Sequence, residues 1–354
     1  VPPLPEPALP DHLVSVASLL VPGETMRRLI STRRTLARTI FGAVVLAGVS
    51  AIPSAPLKAQ FDVGPDDTRH KNEQTEAVSP EILSIRIPKD ASSEYCQGLR
   101  TWQEQNEYHI ELLRLSVQLA SPETKIEPVC MDYPTEARRV SMLQTAEQIN
   151  TVFFGTNAMR EEQLLPVYVP LFLGTTGLRL FMMRPGLMGA LDQVQTIDDL
   201  RTYTMGQGLG WPDTEILLNN GFQAMPGRYK TLHRMLAAGR FDLYPRAYWQ
   251  IVAEWNWMHQ DAAGIEIHPG LALYYPQPIY FFVSPKTPEL RDIIETGMMR
   301  AYANGMMFDL IKTHPDTAPS FSQISIRDLH VLQIPNATLT DRSHLALQNY
   351  GLLD

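Results

Sequence analysis

The first place where this chain could do chemistry is a glycine-crowded turn. Residues 204–215 read T-M-G-Q-G-L-G-W-P-D-T-E. Gly206, Gly208 and Gly210 crowd a turn that calls for positive φ, and Pro212, Asp213, Thr214 and Glu215 follow as helix-start residues. A helix beginning there turns its unpaired N–H groups, with about half a positive charge, toward whatever lies above the turn. Such an end, built by Gly210, Trp211, Asp213 and Thr214, suits a carboxylate, phosphate or sulfate. The same pattern also serves as a tight strand-to-helix turn holding only water. The glycines are not spaced as G-x-G-x-x-G and no Lys-Ser/Thr follows, so neither nucleotide fingerprint is met. H-E-x-x-H, G-x-S-x-G and Cys-His metal spacings are missing too, and His233 and His259 stand isolated on expected helices. No cofactor and no metal is called for.

Stepping outward, 204–246 reads as strand, glycine turn, helix, loop, helix and strand. Upstream, Ile82, Leu83, Ile85 and Ile87 form a short apolar strand ending at Pro88, and 108–120 has apolar residues at helical spacing. K-I-E-P-V-C-M gives a second strand, T-E-A-R-R-V-S-M-L-Q-T-A a helix and I-N-T-V-F-F-G-T a third strand. That is a β-α-β-α-β unit, for which a parallel sheet is expected. The segment N-A-M-R-E-E-Q-L-L-P-V-Y-V-P-L-F-L-G-T-T-G carries two prolines and reads as a crossing rather than a helix. A second α/β unit covers about 178–273, and L-Y-Y-P-Q-P-I-Y-F-F-V-S returns as a strand to the first lobe, making two crossings. A long helix follows, with Ile293, Ile294, Gly297, Met298, Ala301 and Tyr302 on one face and its methionines expected in the core.

Composition narrows the partners. The 354 residues are 44% hydrophobic and 19% charged, enough for one to three domains with ample core. The net charge is −8, and residues 1–59 hold six basic side chains against three acidic ones, so the remainder is more acidic still. An acidic body without a basic stripe argues against nucleic acid and against anionic membrane surfaces. From Met26, a basic stretch (M-R-R-L-I-S-T-R-R-T-L-A-R), a short apolar run and a small-residue exit describe an export signal cleaved after Ala59 or Ala55. The general secretory route is the default, with a partial twin-arginine pattern at Arg33-Arg34. The Pro-rich residues 1–25 precede a natural start methionine, which points to an upstream start chosen in translation. Residues 60–80 are polar and aperiodic and read as a flexible tail. Cys96 and Cys130 are the two cysteines. An oxidising compartment favours their pairing, worth roughly 4 kcal/mol in the chain-entropy view, against the alternative of two buried thiols.

Two stretches carry a resemblance. A-A-G-R-F-D-L is similar to an "L-x-x-G-R-x-D-A" helix-to-strand junction, and Y-P-Q-P-I-Y-F-F-V-S-P-K-T-P-E-L-R-D to a return strand with its following helix. With the order of elements over roughly 81–345, they resemble the type II periplasmic solute-binding proteins, especially the amino-acid-binding branch of ABC transporters. The resemblance implies an α/β fold with two lobes, each a mostly parallel sheet flanked by helices, joined by two hinge crossings. It assigns 81–173 to lobe one, 174–273 to lobe two and 274–354 to the returning part of lobe one with a C-terminal tail. It also implies a monomer in the periplasm, with a small-molecule ligand and a membrane permease as partners.

The resemblance further assigns site residues. Family members grip the ligand carboxylate with an arginine just after the third strand, and Arg160 in G-T-N-A-M-R-E-E is the matching position. A planar guanidinium fork suits a carboxylate. The alternative is a surface ion pair with Glu136, Glu161 or Glu162. The second-lobe turn matches 206–211, with Trp211 where the family has a hydroxyl residue and Thr214 a turn later. Amino-acid binders place an acid about four residues beyond the Asp of the junction, and here that position is Arg246. An arginine cannot accept from an ammonium group, so the expected ligand is anionic or polar and carries a carboxylate. Arg246 paired to Glu254 or Glu215 at the lobe surface is the alternative. Tyr95, Trp102, Tyr244, Trp249 and Trp211 are candidates for apolar walls. The leading expectation is a non-enzymatic, exported solute-binding protein closing by hinge motion. A dehydratase on the same scaffold, with Asp213, Glu215 or Glu254 as its acid, and a ligand-free sensor or assembly module are the alternatives.

Overall fold

Alternation and glycine placement decide where the chain turns. The computed structural model describes residues 83–258 and 262–353. The expected export signal, the polar stretch 60–80, Ile82 and His259 lie outside the described residues. The first lobe opens with β1 (Ser84–Asp90), whose buried residues alternate, then α1 (Tyr108–Ala120), β2 (Lys125–Met131), α2 (Glu136–Thr145) and β3 (Thr151–Gly155). β1 and β2 pair in parallel. Asn150 ties β3 to β1: its backbone N–H donates to Arg86 O, its side-chain oxygen accepts from Arg86 N at 2.7 Å, and its amide donates to Ser84 O at 2.8 Å.

The segment expected to be a plain crossing begins with a helix instead, α3 (Ala158–Gln163), followed by the short strand β4 (Leu165–Pro166). Asn157 caps α3 by accepting from Arg160 N at 2.9 Å. That N-cap is the signal the two later prolines obscured. The chain then crosses to the second lobe and enters β5 (Leu178–Met183), buried at every position. A continuous apolar run of this kind marks a strand covered on both faces, with Arg179 its one charged interior member.

The second lobe continues through α4 (Met188–Leu191), α5 (Ile197–Arg201), β6 (Thr204–Gly208) and α6 (Pro212–Asn219). The stretch expected as a loop is an edge strand of the second lobe's six-stranded sheet, β7 (Gln223–Gly227), parallel to β6. Its single apolar–polar alternation is too short to announce itself, and Pro226 is tolerated because β7 is the last strand of its sheet. Then come α7 (Tyr229–Ala237), β8 (Leu243–Ala247), α8 (Ile251–Met258) and β9 (Glu266–Tyr274). The strand β10 (Ile279–Val283) returns to lie between β3 and β4, antiparallel to both.

The fold is therefore α/β with two helix-flanked lobes. Apart from the pairing of β9 with the later strand His330–Gln333, the parallel pairs come from β-α-β units, whereas the antiparallel pairs all involve β5 or β10, the strands that receive the chain after a crossing. The crossings run side by side: Tyr275 N donates to Gly177 O at 3.2 Å, and a Cβ on Gly177 would overlap the Tyr275 carbonyl.

The remaining chain is α9 (Pro288–Ala303), α10 (Met306–Thr313), α11 (Ala318–Gln323), β11 (His330–Gln333) and α12 (Asp341–Tyr350). α9 buries Ile294, Gly297, Met298 and Ala301 against α1, where a Cβ on Gly297 would overlap the Ser116 carbonyl. Met298 and Met307 are core, but Met299 and Met306 are exposed, contrary to a uniformly buried set. The expectation that 274–354 stays with the first lobe is also corrected, since β11 pairs in parallel with β9 of the second. The chain then goes back, and Glu161 pins its end to lobe one by accepting from four hydroxyls: Thr156, Tyr168, Thr340 and Ser343. Among the described residues no helix is long and apolar enough to cross a membrane.

Cys96 and Cys130 form a disulfide with their Cα atoms 5.8 Å apart, tying the loop after β1 to the end of β2. Replacing both with serine is expected to lower stability by about 2–4 kcal/mol, read from denaturant midpoints; a change under about 0.5 kcal/mol, the usual range for a surface site, contradicts this. A pH effect follows from His109, whose ring lies 3.9 Å from that of Phe153. Burial, only partly offset by Glu107, pushes its pKa down to about 3. The unfolded chain takes up this proton below about pH 6.5 and the folded chain does not, so stability falls as pH drops from about 6.5 toward 3. His109→Phe is expected to flatten that limb in unfolding curves at pH 7 and 4.5; an unchanged slope refutes it.

Candidate functional site

Between the lobes lies a cleft of about 1060 Å³, at the upper end of small-molecule sites. The second lobe contributes the glycine turn. Only Gly210 of its three glycines has positive φ, at 78°. Gly206 and Gly208 serve instead as close-approach points, because Cβ atoms there would overlap the rings of Phe241 and Trp211. Trp211 is thereby seated flat over Gly208, with α6 starting at Pro212 directly after it.

Guanidinium groups dominate the walls. Arg246, on β8, is 4% exposed and donates from Nε to Glu254 Oε2 at 2.6 Å. Its guanidinium carbon lies 4.7 Å from the Tyr244 ring centroid, 5.0 Å from Trp211 and 5.7 Å from Tyr229. Burial lowers the pKa of such a group, but Glu254, Tyr244 and Tyr229 together outweigh that and push it above the ordinary arginine value. Among the described residues this guanidinium makes no second hydrogen bond, so its terminal nitrogens are uncommitted where Arg246 borders the cleft. Burial raises the Tyr244 and Tyr229 hydroxyls well above the usual tyrosine range, and Glu254 reinforces both shifts.

Arg179, from β5, is 4% exposed and pairs with Asp213 Oδ1 at 2.5 Å; the Tyr275 hydroxyl donates to the same oxygen at 2.6 Å. Asp213 thus occupies the start of α6 that a ligand anion was expected to use. On the first lobe, Arg139 pairs with Glu136 at 3.5 Å and donates to the Tyr133 hydroxyl and to Phe153 O. The Nε atoms of Arg139 and Arg179 are buried without an acceptor.

Arg160 is placed differently from the expectation. It is buried, but it does not border the cleft, and both terminal nitrogens are spent: one donates to Gly155 O, the other to Glu136 at 2.5 Å and to Gly210 O at 3.1 Å. It acts as a strut from lobe one to the second-lobe turn and has no free fork for a carboxylate. A second tie spans the mouth, where Lys230 lies 3.6 Å from Asp90. Thr214 also turns away, donating to Gly208 O at 3.3 Å. Tyr95 packs edge-on against Trp102 outside the cleft lining, and Tyr244 is fully buried beneath Arg246. Trp211 and Trp249 do border the cleft, the latter stacked on Phe172 at 3.7 Å. Glu215 is exposed, and Asp242 is a strand-end residue held by Arg184 and Thr204.

Arg139, Arg179 and Tyr229 were missed by sequence reasoning. For Arg179 a signal existed, since a lone charge inside the apolar run L-R-L-F-M-M needs a buried partner. Four guanidinium groups (Arg139, Arg160, Arg179, Arg246) meet three carboxylates (Glu136, Asp213, Glu254), because Glu136 serves two arginines. Over the cleft lining itself, Arg139, Arg179, Arg228, Lys230 and Arg246 stand against Asp90, Asp132, Glu136 and Asp213, an excess of one positive charge.

No protein-family model and no curated protein matches the chain. Solved structures similar to it include an ancestral arginine-binding protein bound to arginine, at 16% identity and TM-score 0.46, covering 65% of this chain and 97% of that one. The GluR0 ligand-binding core from Nostoc punctiforme in complex with L-glutamate shares 15% identity at TM-score 0.46, covering 66% and 99%. An amino acid ABC transporter substrate-binding protein from Streptococcus pneumoniae bound to L-arginine shares 9% at TM-score 0.48, covering 66% and 94%.

Because Arg160 is a strut, Arg160→Ala is expected to destabilise the protein by about 3–5 kcal/mol, as removing one member of a buried ion pair does. Chemical denaturation checks this; a loss under about 1 kcal/mol would mean that Arg160 is a dispensable surface pair.

Proposed function

We propose that this protein is an exported solute-binding protein whose lobes close on a small metabolite bearing a carboxylate or similar anion. The observation that carries the reading is Arg246. Its Nε is fixed by Glu254 and its plane by aromatic rings, while its terminal nitrogens have no acceptor among the described residues. A guanidinium held that way is preorganised for a two-pronged contact with a planar anion. The excess of one basic side chain over the acidic ones lining the cleft supports the same charge. Trp211, Trp249 and the aliphatic parts of the lining supply apolar wall.

Closure would pivot where Gly177 and Tyr275 lie side by side, and the contacts of Arg160 with Gly210 and of Lys230 with Asp90 would hold the closed form. Residues 26–59 fit the export signal, which would deliver a monomer to the periplasm to serve a membrane permease of the ABC type. Binding without turnover is favoured because each acidic side chain buried at the cleft already contacts a guanidinium. A cleft this open also favours a ligand-holding role over a site filled by its own side chains.

Thermal-shift screening with monocarboxylates, dicarboxylates, amino acids and phosphorylated or sulfonated metabolites tests this, followed by calorimetry on the hits. Anionic ligands are expected to raise Tm. Arg246→Gln is expected to weaken the best of them by about 10- to 100-fold, the 1.5–3 kcal/mol of a charged hydrogen bond. Exclusive preference for cationic solutes, or unchanged affinity in the variant, refutes the assignment.

A further inference from the structure

Arg246 is itself seated as a bound cation would be. Three aromatic faces lie within 5.7 Å of its guanidinium carbon, and a carboxylate holds its Nε. Rings surrounding a weakly hydrated cation, closed by one acid, are the makings of a receptor for guanidinium or quaternary ammonium groups. The parts converge from separate places in the fold: Trp211 ahead of α6, Tyr229 at the start of α7, Tyr244 on β8 and Glu254 on α8. An ion pair alone would need none of these rings. Two further polar atoms there, Glu254 Oε1 and Tyr244 Oη, are buried without a hydrogen-bond partner among the described residues. The recess therefore offers more recognition than Arg246 consumes.

We infer that Trp211, Tyr229, Tyr244 and Glu254 form a cation-binding cage that the chain fills with its own Arg246, and that this tethered occupant sets the charge selectivity of the cleft. With Arg246 in place, the cage is closed to guanidinium and ammonium solutes, and the outward nitrogens of the occupant meet an anion instead. The consequence for anions rests on the function proposed above; the existence of the cage does not. Truncating Arg246 at Cβ removes two carbons and the guanidinium, so ethylguanidinium is the free molecule that replaces what was lost.

The test compares Arg246→Ala, the wild type and the double variant Arg246→Leu/Glu254→Leu, which removes the occupant and the cage acid together. Millimolar ethylguanidinium is expected to raise the Tm of Arg246→Ala by at least about 3 °C. Its neutral isostere N-ethylurea should not, and neither the wild type nor the double variant should respond. No response of Arg246→Ala, or an equal response of the double variant, overturns the proposal. Should Arg246→Ala be recovered only as aggregate, refolding yield becomes the readout: a higher yield with ethylguanidinium than with N-ethylurea supports the cage, and equal yields overturn it. Anion binding by the wild type is not read here, so failure of the cage and failure of the anion reading are separate results.

Discussion

A guanidinium taken out of water must find acceptors, and in this protein that requirement organises the space between the lobes. Desolvating an unpaired charge costs several kcal/mol, so buried arginines bring carboxylates with them. Arg179 brings Asp213, Arg246 brings Glu254, and Arg139 and Arg160 share Glu136. The sharing leaves the site one acid short. What distinguishes the four arginines is how many of their donors remain open toward the cleft, and by that measure Arg246 stands apart from Arg160.

The fold supplies this arrangement with few parts. Gly210 reverses the chain after β6 while Gly208 leaves room for the Trp211 ring, which in turn flanks Arg246. β5 and β8 are antiparallel neighbours in register, with Leu180 opposite Arg246 and Arg179 opposite Ala247, so the two cationic residues come from adjacent rungs of one ladder. From lobe one, Arg160 on α3, held by Glu136 at the start of α2, reaches the same turn by donating to the Gly210 carbonyl. Opening the lobes would break that contact and the Lys230–Asp90 pair while sparing the lobe interiors. Domain closure of this kind needs only weak, replaceable contacts at the moving edge.

Much of the architecture could be read from the chain. Apolar periodicity placed α1, α9 and the strands of the first lobe, and two proline-bearing junctions marked the crossings. β7 escaped because five residues with Pro226 among them look like loop, and β11 escaped because its pairing with β9 joins residues 59 positions apart, a distance that no local pattern encodes. Of the site, Trp211 and Asp213 could be picked out at the turn and Arg246 through the family resemblance, but their partners could not. Arg160 was assigned a free fork by its position after β3. The sequence contains Glu136 and Gly210, yet nothing local says that they reach Arg160. An ion pair between residues 24 positions apart and a hydrogen bond between residues 50 apart are tertiary facts. The glycine turn was legible as a turn, whereas the reason for two of its three glycines, ring contact rather than backbone angle, was not.

The central claim is that Arg246 is the anion anchor. A crystal structure of the protein with the tightest-binding carboxylate would test it most directly. The account predicts carboxylate oxygens about 2.7–2.9 Å from the terminal nitrogens of Arg246, with the Arg160 contacts to Glu136 and Gly210 intact. A carboxylate resting on Arg160, or one bound in the cleft without touching Arg246, would contradict it.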